Sequence, residues 1–385
     1  MISFLLSIIY LCFVSLGLPD SLLGAAWPTI HHEFNIPLSY AGIISVIISL
    51  TTIVSSLLSD RLTKKFTPGV VTVVSIILTA TALLGFSLSD NFIMLVLLAI
   101  PYGLGAGGVD ACLNNYVALH YESKHMSWLH AMWGLGATIS PFIMGYALSG
   151  GSGWNEGYLI VGIIQFVISF IVLLTLPKWK KNKEEEKANK KALGFKKIFS
   201  IPGAITCFVM FFCYCALEQT AMLWASSYLV DHSGLTKDMA ANLASLFCIG
   251  ITVGRIINGF LTFKLNDKKL IRLGILFLIV AVVLLFIPNK ITTIIGFVLI
   301  GLGCAPIYPS IIHMTPKLFG EENSQAMIGV QMAFAYSGTL LMPPLFGIIA
   351  KKISISLLPI YLLLILVLMI VMNEFTNKLT SKKEA

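Results

Sequence analysis

The sequence predicts an all-α integral membrane protein, with 12 transmembrane helices in two pseudo-symmetric six-helix bundles. Three observations carry this reading. Hydrophobic residues make up 57% of the 385 positions and charged residues 11%, against the ~25% charged of an ordinary globular chain. The charge-free runs 34–59, 66–89, 126–155, 157–177, 291–316, 323–350 and 353–373 each exceed the ~18–20 residues that a membrane-spanning helix needs. Short motifs then recur about two hundred residues apart, as described below.

The spans fall near 3–30, 38–59, 68–89, 92–118, 127–149, 157–177, 201–229, 239–263, 269–288, 291–316, 323–350 and 354–374. The first apolar stretch continues to about residue 30 with no basic region before it, which argues against a cleavable signal peptide. Continuous apolar stretches exclude a β-barrel, whose strands alternate over ~10 residues. The seven cysteines all lie in apolar runs, so a disulfide framework is not expected. The net charge of +8 sits in short loops and is no nucleic-acid signal.

Positive charge sets the orientation. Of 26 Lys and Arg, 21 fall in even-numbered loops or the C-terminal tail, among them Arg61, Lys64, Lys65, Lys124, Lys264, Lys268, Lys269, Arg272 and Lys317. Both termini are therefore expected in the cytoplasm. With no N-x-[ST] sequon and no long external loop, the chain is compatible with a bacterial plasma membrane. The polar stretch 178–197 reads as a solvated linker. It divides the chain into an N-terminal bundle 1–177, a cytoplasmic linker 178–199 and a C-terminal bundle 200–385.

The two bundles read as repeats. Gly103-Leu104-Gly105 recurs as Gly301-Leu302-Gly303. Gly136-x4-Pro141-x3-Gly145 recurs as Gly338-x4-Pro343-x3-Gly347, and Arg61-x3-Lys65 as Lys264-x3-Lys268. The offsets are 198, 202 and 203. One such match in a Gly-rich chain would mean little; three at nearly one offset indicate parallel duplication.

Ser56-Leu-Leu-Ser-Asp60-Arg61-Leu-Thr63-Lys64-Lys65 resembles the loop 2–3 signature of the major facilitator superfamily, G-x-x-x-D-[RK]-x-G-[RK]-[RK], with Ser56 and Thr63 in place of its glycines. The second copy, Gly259 to Lys268, has Phe263 at the acidic position. The resemblance implies a conformational latch at Asp60 and Arg61, the carboxylate pairing with bases on neighbouring helices. Within that superfamily, Gly108-Val-Asp110-Ala-Cys-Leu-Asn114-Asn115-Tyr116-Val117 and Gly17-Leu-Pro-Asp20 are similar to the acidic motifs of the fucose permease and related hexose:cation symporters. Asn115 stands where that group usually has proline. His130-Ala-Met-Trp133-Gly-Leu-Gly136, and Glu218 with Trp224, also resemble permeases of this group.

The ionisable residues are informative in their own right. A charged side chain at mid-bilayer costs about 2.5–3.5 kcal/mol on insertion scales, so it persists where a partner, water or a function compensates. Asp20, Asp110 and Glu218 lie in spans 1, 4 and 7, which line the central cavity in the architecture that the resemblance implies. Gly17, Asp20, Gly24 and Trp27 share one helical stripe, as do Gly103, Gly107, Asp110 and Asn114. Burial favours the neutral carboxyl, which suits Asp20 and Asp110 to proton coupling. A carboxylate can instead hold Na⁺, and the resemblance favours H⁺.

Candidate substrate-binding residues are Asn114, Asn115, Trp133, Glu218, Gln219, Trp224, Tyr308, His313 and Gln331. Their amides, rings and carboxylate suit sugar hydroxyls and the apolar face of a pyranose. Arg255 is expected to form an ion pair or snorkel at the cytoplasmic end of span 8, and Pro306 and Pro309 to break span 10. No H-E-x-x-H, G-x-S-x-G or Walker motif is present, so an enzyme is not expected. Nor is a metal, or a cofactor beyond the coupling ion. The reading is a monomeric secondary transporter that carries a monosaccharide with H⁺ in symport by alternating access. The alternative is a proton-driven efflux antiporter for drugs or metabolites. Such antiporters often carry G-x-x-x-G-P-x-x-G-G in span 5, of which Gly136, Pro141 and Gly145 are fragments.

Overall fold

The computed structural model describes residues 4–151, 153–179, 192–232 and 234–381. Most of the expected linker, 180–191, lies outside these. Helices fill all twelve predicted intervals. In chain order they are α1 (Phe4–Gly17), α2 (Leu22–Glu33), α3 (Ala41–Phe66), α4 (Pro68–Ser87), α5 (Phe92–His120), α6 (Ser123–Ser149) and α7 (Gly153–Thr175). They continue as α8 (Phe195–Ser200), α9 (Ala204–Asp231), α10 (Lys237–Leu261), α11 (Asp267–Leu285), α12 (Lys290–Phe319), α13 (Glu321–Lys352) and α14 (Leu358–Ser381).

Among the described residues, ten helical spans are long and apolar enough to cross a membrane. The other two intervals hold α10 and α11. The first has the apolar stretch Ile249–Leu261; the second starts with the charged residues Asp267, Lys268, Lys269 and Arg272. Phe142, Phe170, Leu223 and Leu364 are exposed, an apolar surface that hydrocarbon satisfies and water does not. The protein is a multi-pass membrane protein.

The chain packs as two compact units: Met1–Tyr116 with Leu129–Leu193, and Val117–Trp128 with Gly194–Ala385. In the first, α4 lies along α7; in the second, α11 lies along α12 and α9 between α13 and α14. The repeated glycines perform matching tasks. A Cβ on Gly136 would fall on the backbone of Val14 and Leu18, and one on Gly338 on that of Phe212 and Ala216. Each thus lets the fifth helix of its half cross the first at backbone contact.

Span 1 departs from the expectation of a continuous helix. It breaks over Leu18–Ser21, between α1 and α2. The cause is Pro19, which has no N–H to give to the Ser15 carbonyl one turn back. Gln165 on α7 fills the gap, its amide nitrogen donating to the Ser15 carbonyl at 2.7 Å. Tighter i→i+3 bonds, Asp20 N–H to Gly17 and Leu22 N–H to Pro19, carry the chain across the break. The stripe of Gly17, Asp20, Gly24 and Trp27 is accordingly interrupted. Trp27 is buried and donates to the Leu38 carbonyl at 2.7 Å, which makes it a packing residue.

Span 10 corrects the opposite expectation. Pro306 and Pro309 lie inside a continuous α12 and are buried by its neighbours. Packing on every side holds the helical path there, so the missing donors do not break it.

Candidate functional site

In the first unit the break in span 1 delivers Asp20. Its carboxylate accepts from the Trp133 indole of α6 at 2.8 Å and from the Tyr102 hydroxyl of α5 at 3.2 Å. Asp20 is exposed, whereas Trp133 is half-buried and Tyr102 buried. The close crossing at Gly136, one turn from Trp133, brings α6 near enough for the indole to reach. An indole only donates, so Trp133 fixes one oxygen as an acceptor in either protonation state.

Asp110 forms a second station further along α5, eight residues and about 12 Å beyond Tyr102. The Asn114 amide nitrogen donates to Asp110 Oδ1 at 2.8 Å and to the Asp110 carbonyl at 3.0 Å. Asn114 Oδ1 faces His130 Nε2 at 3.0 Å. That oxygen can only accept, so the ring nitrogen carries the proton and donation runs from His130 through Asn114 to Asp110. The Phe13 ring lies edge-on to the imidazole, 5.3 Å between centroids. All three polar residues are buried, as is Asn115.

In the second unit Glu218 on α9 faces the Arg255 guanidinium of α10 at 3.6 Å. Both are buried. Of the two arrangements expected of it, Arg255 thus forms the ion pair, with Glu218 as its partner. Beside the pair, Phe211 lies 4.7 Å and Tyr214 5.9 Å from the Tyr308 ring, measured between centroids. The Tyr308 hydroxyl donates to Met332 Sδ at 3.1 Å. Gln219, next along α9, is half-buried.

Three predicted substrate residues stand apart from these clusters. Gln331 has both ends of its amide engaged: it donates to Cys207 Sγ at 3.1 Å and accepts from Thr315 at 3.0 Å. Trp224 donates to the Pro343 carbonyl at 3.0 Å and packs on Phe346, which makes it an interhelical brace. His313 bonds Asp267 and the Tyr121 carbonyl instead of joining the aromatic cluster.

The latch expectation changes in detail. Asp60 pairs with Lys64 on its own helix at 2.9 Å and accepts from the Leu193 N–H at 3.0 Å. Among the described residues its partners are thus a base one turn on and a backbone amide, in place of a base on a neighbouring helix. Arg61 is exposed.

Sequence reasoning missed Tyr102, Gln165 and the identity of Arg255's partner. Only Tyr102 left a usable signal, two helical turns before Asp110 on the same helix. No three His, Cys, Asp or Glu side chains stand together as a metal would need among the described residues.

A family model described as "Major Facilitator Superfamily" matches residues 9–288 and 207–384. The "Bypass of stop codon protein 6" of Saccharomyces cerevisiae is 24% identical over 390 residues, covering 90% of this chain and 77% of that one. The glucose/mannose transporter of Bacillus subtilis is 26% identical, covering 78% and 77%. Multidrug resistance protein 1 of the same organism is 22% identical, covering 90% and 89%. The crystal structure of the E. coli fucose:proton symporter superposes with a TM-score of 0.80 at 16% identity, covering 96% of this chain and 98% of that one. Helices through both halves of the chain fall under that one family model, and the protein belongs to the Major Facilitator Superfamily.

Proposed function

We propose that this transporter imports a monosaccharide together with H⁺ by alternating access. The observation that carries the reading is Asp20, an exposed carboxylate at a helix break, held by an indole and a phenol. A carboxylate held by neutral donors can gain or lose a proton without stranding a buried cation. Its supports also suit a sugar: a hydroxyl can exchange places with the Tyr102 hydroxyl, and the indole offers a face to the ring's C–H groups. Asp110 is the second titratable station. Asn115, Gln219, Glu218 and Tyr308 are the remaining candidate sugar contacts, and Asn114 holds Asp110. A glucose/mannose transporter among the relatives and a fucose:proton symporter among the fold neighbours support the reading. The chain is a transporter and not an enzyme.

The test is counterflow in proteoliposomes with a panel of monosaccharides, followed by uptake under a pH gradient and, separately, a sodium gradient. The proposal expects counterflow with at least one hexose or pentose, and accumulation that follows the pH gradient. Accumulation that follows sodium at fixed pH would replace H⁺ by Na⁺ at the same acids. A second reading, proton-driven efflux, rests on the relative named for multidrug resistance. It expects no counterflow with any sugar, and extrusion of a cationic dye when the pH gradient is imposed. Both readings put the chain in a bacterial plasma membrane as a monomer, with cytoplasmic termini. A protease site placed in 182–192 should then be cut only from the cytoplasmic side.

A further inference from the structure

Residues 117–128 end α5 and begin α6, and they pack within the second unit, while Tyr116 and Leu129 on either side belong to the first. The grip on this segment is polar. His313 Nδ1 lies 2.8 Å from Asp267 Oδ2, and His313 Nε2 lies 3.2 Å from the Tyr121 carbonyl oxygen. Asp267 Oδ1 accepts from the Ser123 hydroxyl. Asn258 donates to Ser127 at 2.7 Å, Trp128 packs edge-on to Phe260, and Lys124 stands over the Phe263 ring.

The chemistry of the His313 contacts is asymmetric in a useful way. A carboxylate and a carbonyl both accept and neither donates. A neutral imidazole carries one N–H, an imidazolium two. Both bonds can therefore form only on the doubly protonated ring. Loss of one proton leaves a single N–H, which the charged Asp267 holds more strongly than a neutral carbonyl does, so the bond to Tyr121 on the segment is the one given up. We infer that His313, Asp267 and Tyr121 form a proton-operated clasp, closed while His313 carries two N–H protons and released when it loses one.

The His313 and Asp267 side chains are 21% and 14% exposed, so protons can reach them from the aqueous phase at this end of the unit. The direction follows. A clasp that needs the protonated ring is complete at low pH and is lost as pH rises through the titration of the ring, for histidine between about pH 5 and 8. Its charged and titratable neighbours include His120, which ends α5. From α11 comes Asp267 itself, with Lys268 beside it and Lys264 exposed ahead of the helix. From 117–128, Lys124 pairs with Glu122 at 2.8 Å and His125 packs against Tyr121 and Trp128. On α12 itself Lys317 lies one turn on and is exposed, as are Glu321 and Glu322 at the start of α13.

Spin labels on Glu122→Cys and Lys264→Cys read the clasp directly, because both positions are exposed. Cys12, Cys112, Cys207, Cys213, Cys215 and Cys304 are buried, and Cys248→Ser completes the background. Pulsed dipolar distances are taken on the full chain in detergent at pH 5.5 and 8.5. The clasp expects a single short distance at low pH and at least a threefold rise in a longer population at high pH. His313→Gln should show the longer population at both values. Asp267→Asn, which removes the counter-charge and keeps the size, should move the midpoint to lower pH and serves if His313→Gln does not fold. An unchanged wild-type distance between the two pH values overturns the clasp. So does a wild-type pH response in His313→Gln, or an unmoved midpoint in Asp267→Asn.

Discussion

Each unit places an acid inside an apolar helix, but the two solve the problem differently. In the first, Asp20 is exposed at a broken helix and is supported by the neutral donors Trp133 and Tyr102. In the second, Glu218 is buried against the guanidinium of Arg255. An acid on neutral donors can exchange a proton without leaving a buried cation unpaired. An acid paired with a buried arginine is tied to a counter-charge, and removing either partner is costly. The difference is one of partner: neutral donors in the first unit, a counter-charge in the second.

The largest expected effect breaks the comparison on its first side. Asp20→Asn should abolish pH-driven accumulation while sugar counterflow survives, because exchange needs no net proton movement. Asp110→Asn should keep counterflow too, because an asparagine carbonyl can still accept from Asn114. Whichever variant loses the pH dependence identifies the coupling acid. If the double variant accumulates sugar as well as wild type under the same gradient, neither acid carries the proton.

Next in size is the second unit. Glu218→Gln leaves Arg255 buried beside a neutral partner, a loss of about 3–5 kcal/mol, read as a fall in thermal stability in detergent. Adding Arg255→Gln should recover much of it. A single variant as stable as wild type would mean that the pair is not the compensated unit its geometry describes.

A smaller effect sharpens the contrast at the helix break. Gln165→Leu removes the donor to the Ser15 carbonyl, costing about 1–3 kcal/mol for a buried group left unsatisfied. It should also weaken the apparent affinity for sugar through displacement of Asp20. Unchanged stability and affinity would show that the break holds itself. The smallest effect belongs to Asp60→Asn. With Lys64 on the same helix as its ion-pair partner, the change should slow transport by roughly twofold, as an i,i+4 pair is worth about 0.3–0.5 kcal/mol. A loss of sugar binding would contradict its placement away from Asp20.

The fold was legible because hydrocarbon imposes length and composition directly: every predicted span holds a helix, and the repeated Gly136 and Gly338 proved to make matching helix crossings. Of the site, the acids themselves could be read, since a carboxylate in an apolar run is conspicuous. Their partners could not. Trp133 reaches Asp20 across 113 positions and Gln165 reaches Ser15 across 150, and no local periodicity encodes such pairings. The ion pair of Arg255 was expected but its partner Glu218 was not, because distance from a helix end says nothing of what lies opposite. Proline misled in both directions. Pro19 breaks its helix where a side chain from α7 accepts the consequence, whereas Pro306 and Pro309 are held straight by packing.

The break at Pro19 also bears on how the chain is made. The Ser15 carbonyl gets its donor from Gln165, and the six-span bundle of which both are part is synthesised from its N-terminal end. Until residue 165 has entered the bilayer, the first span must carry an unsatisfied carbonyl in hydrocarbon, which costs several kcal/mol, or keep that stretch near water. Span 1 therefore cannot take its final shape when it is inserted. It waits for the sixth, and the helix that presents Asp20 is finished only when the first bundle closes.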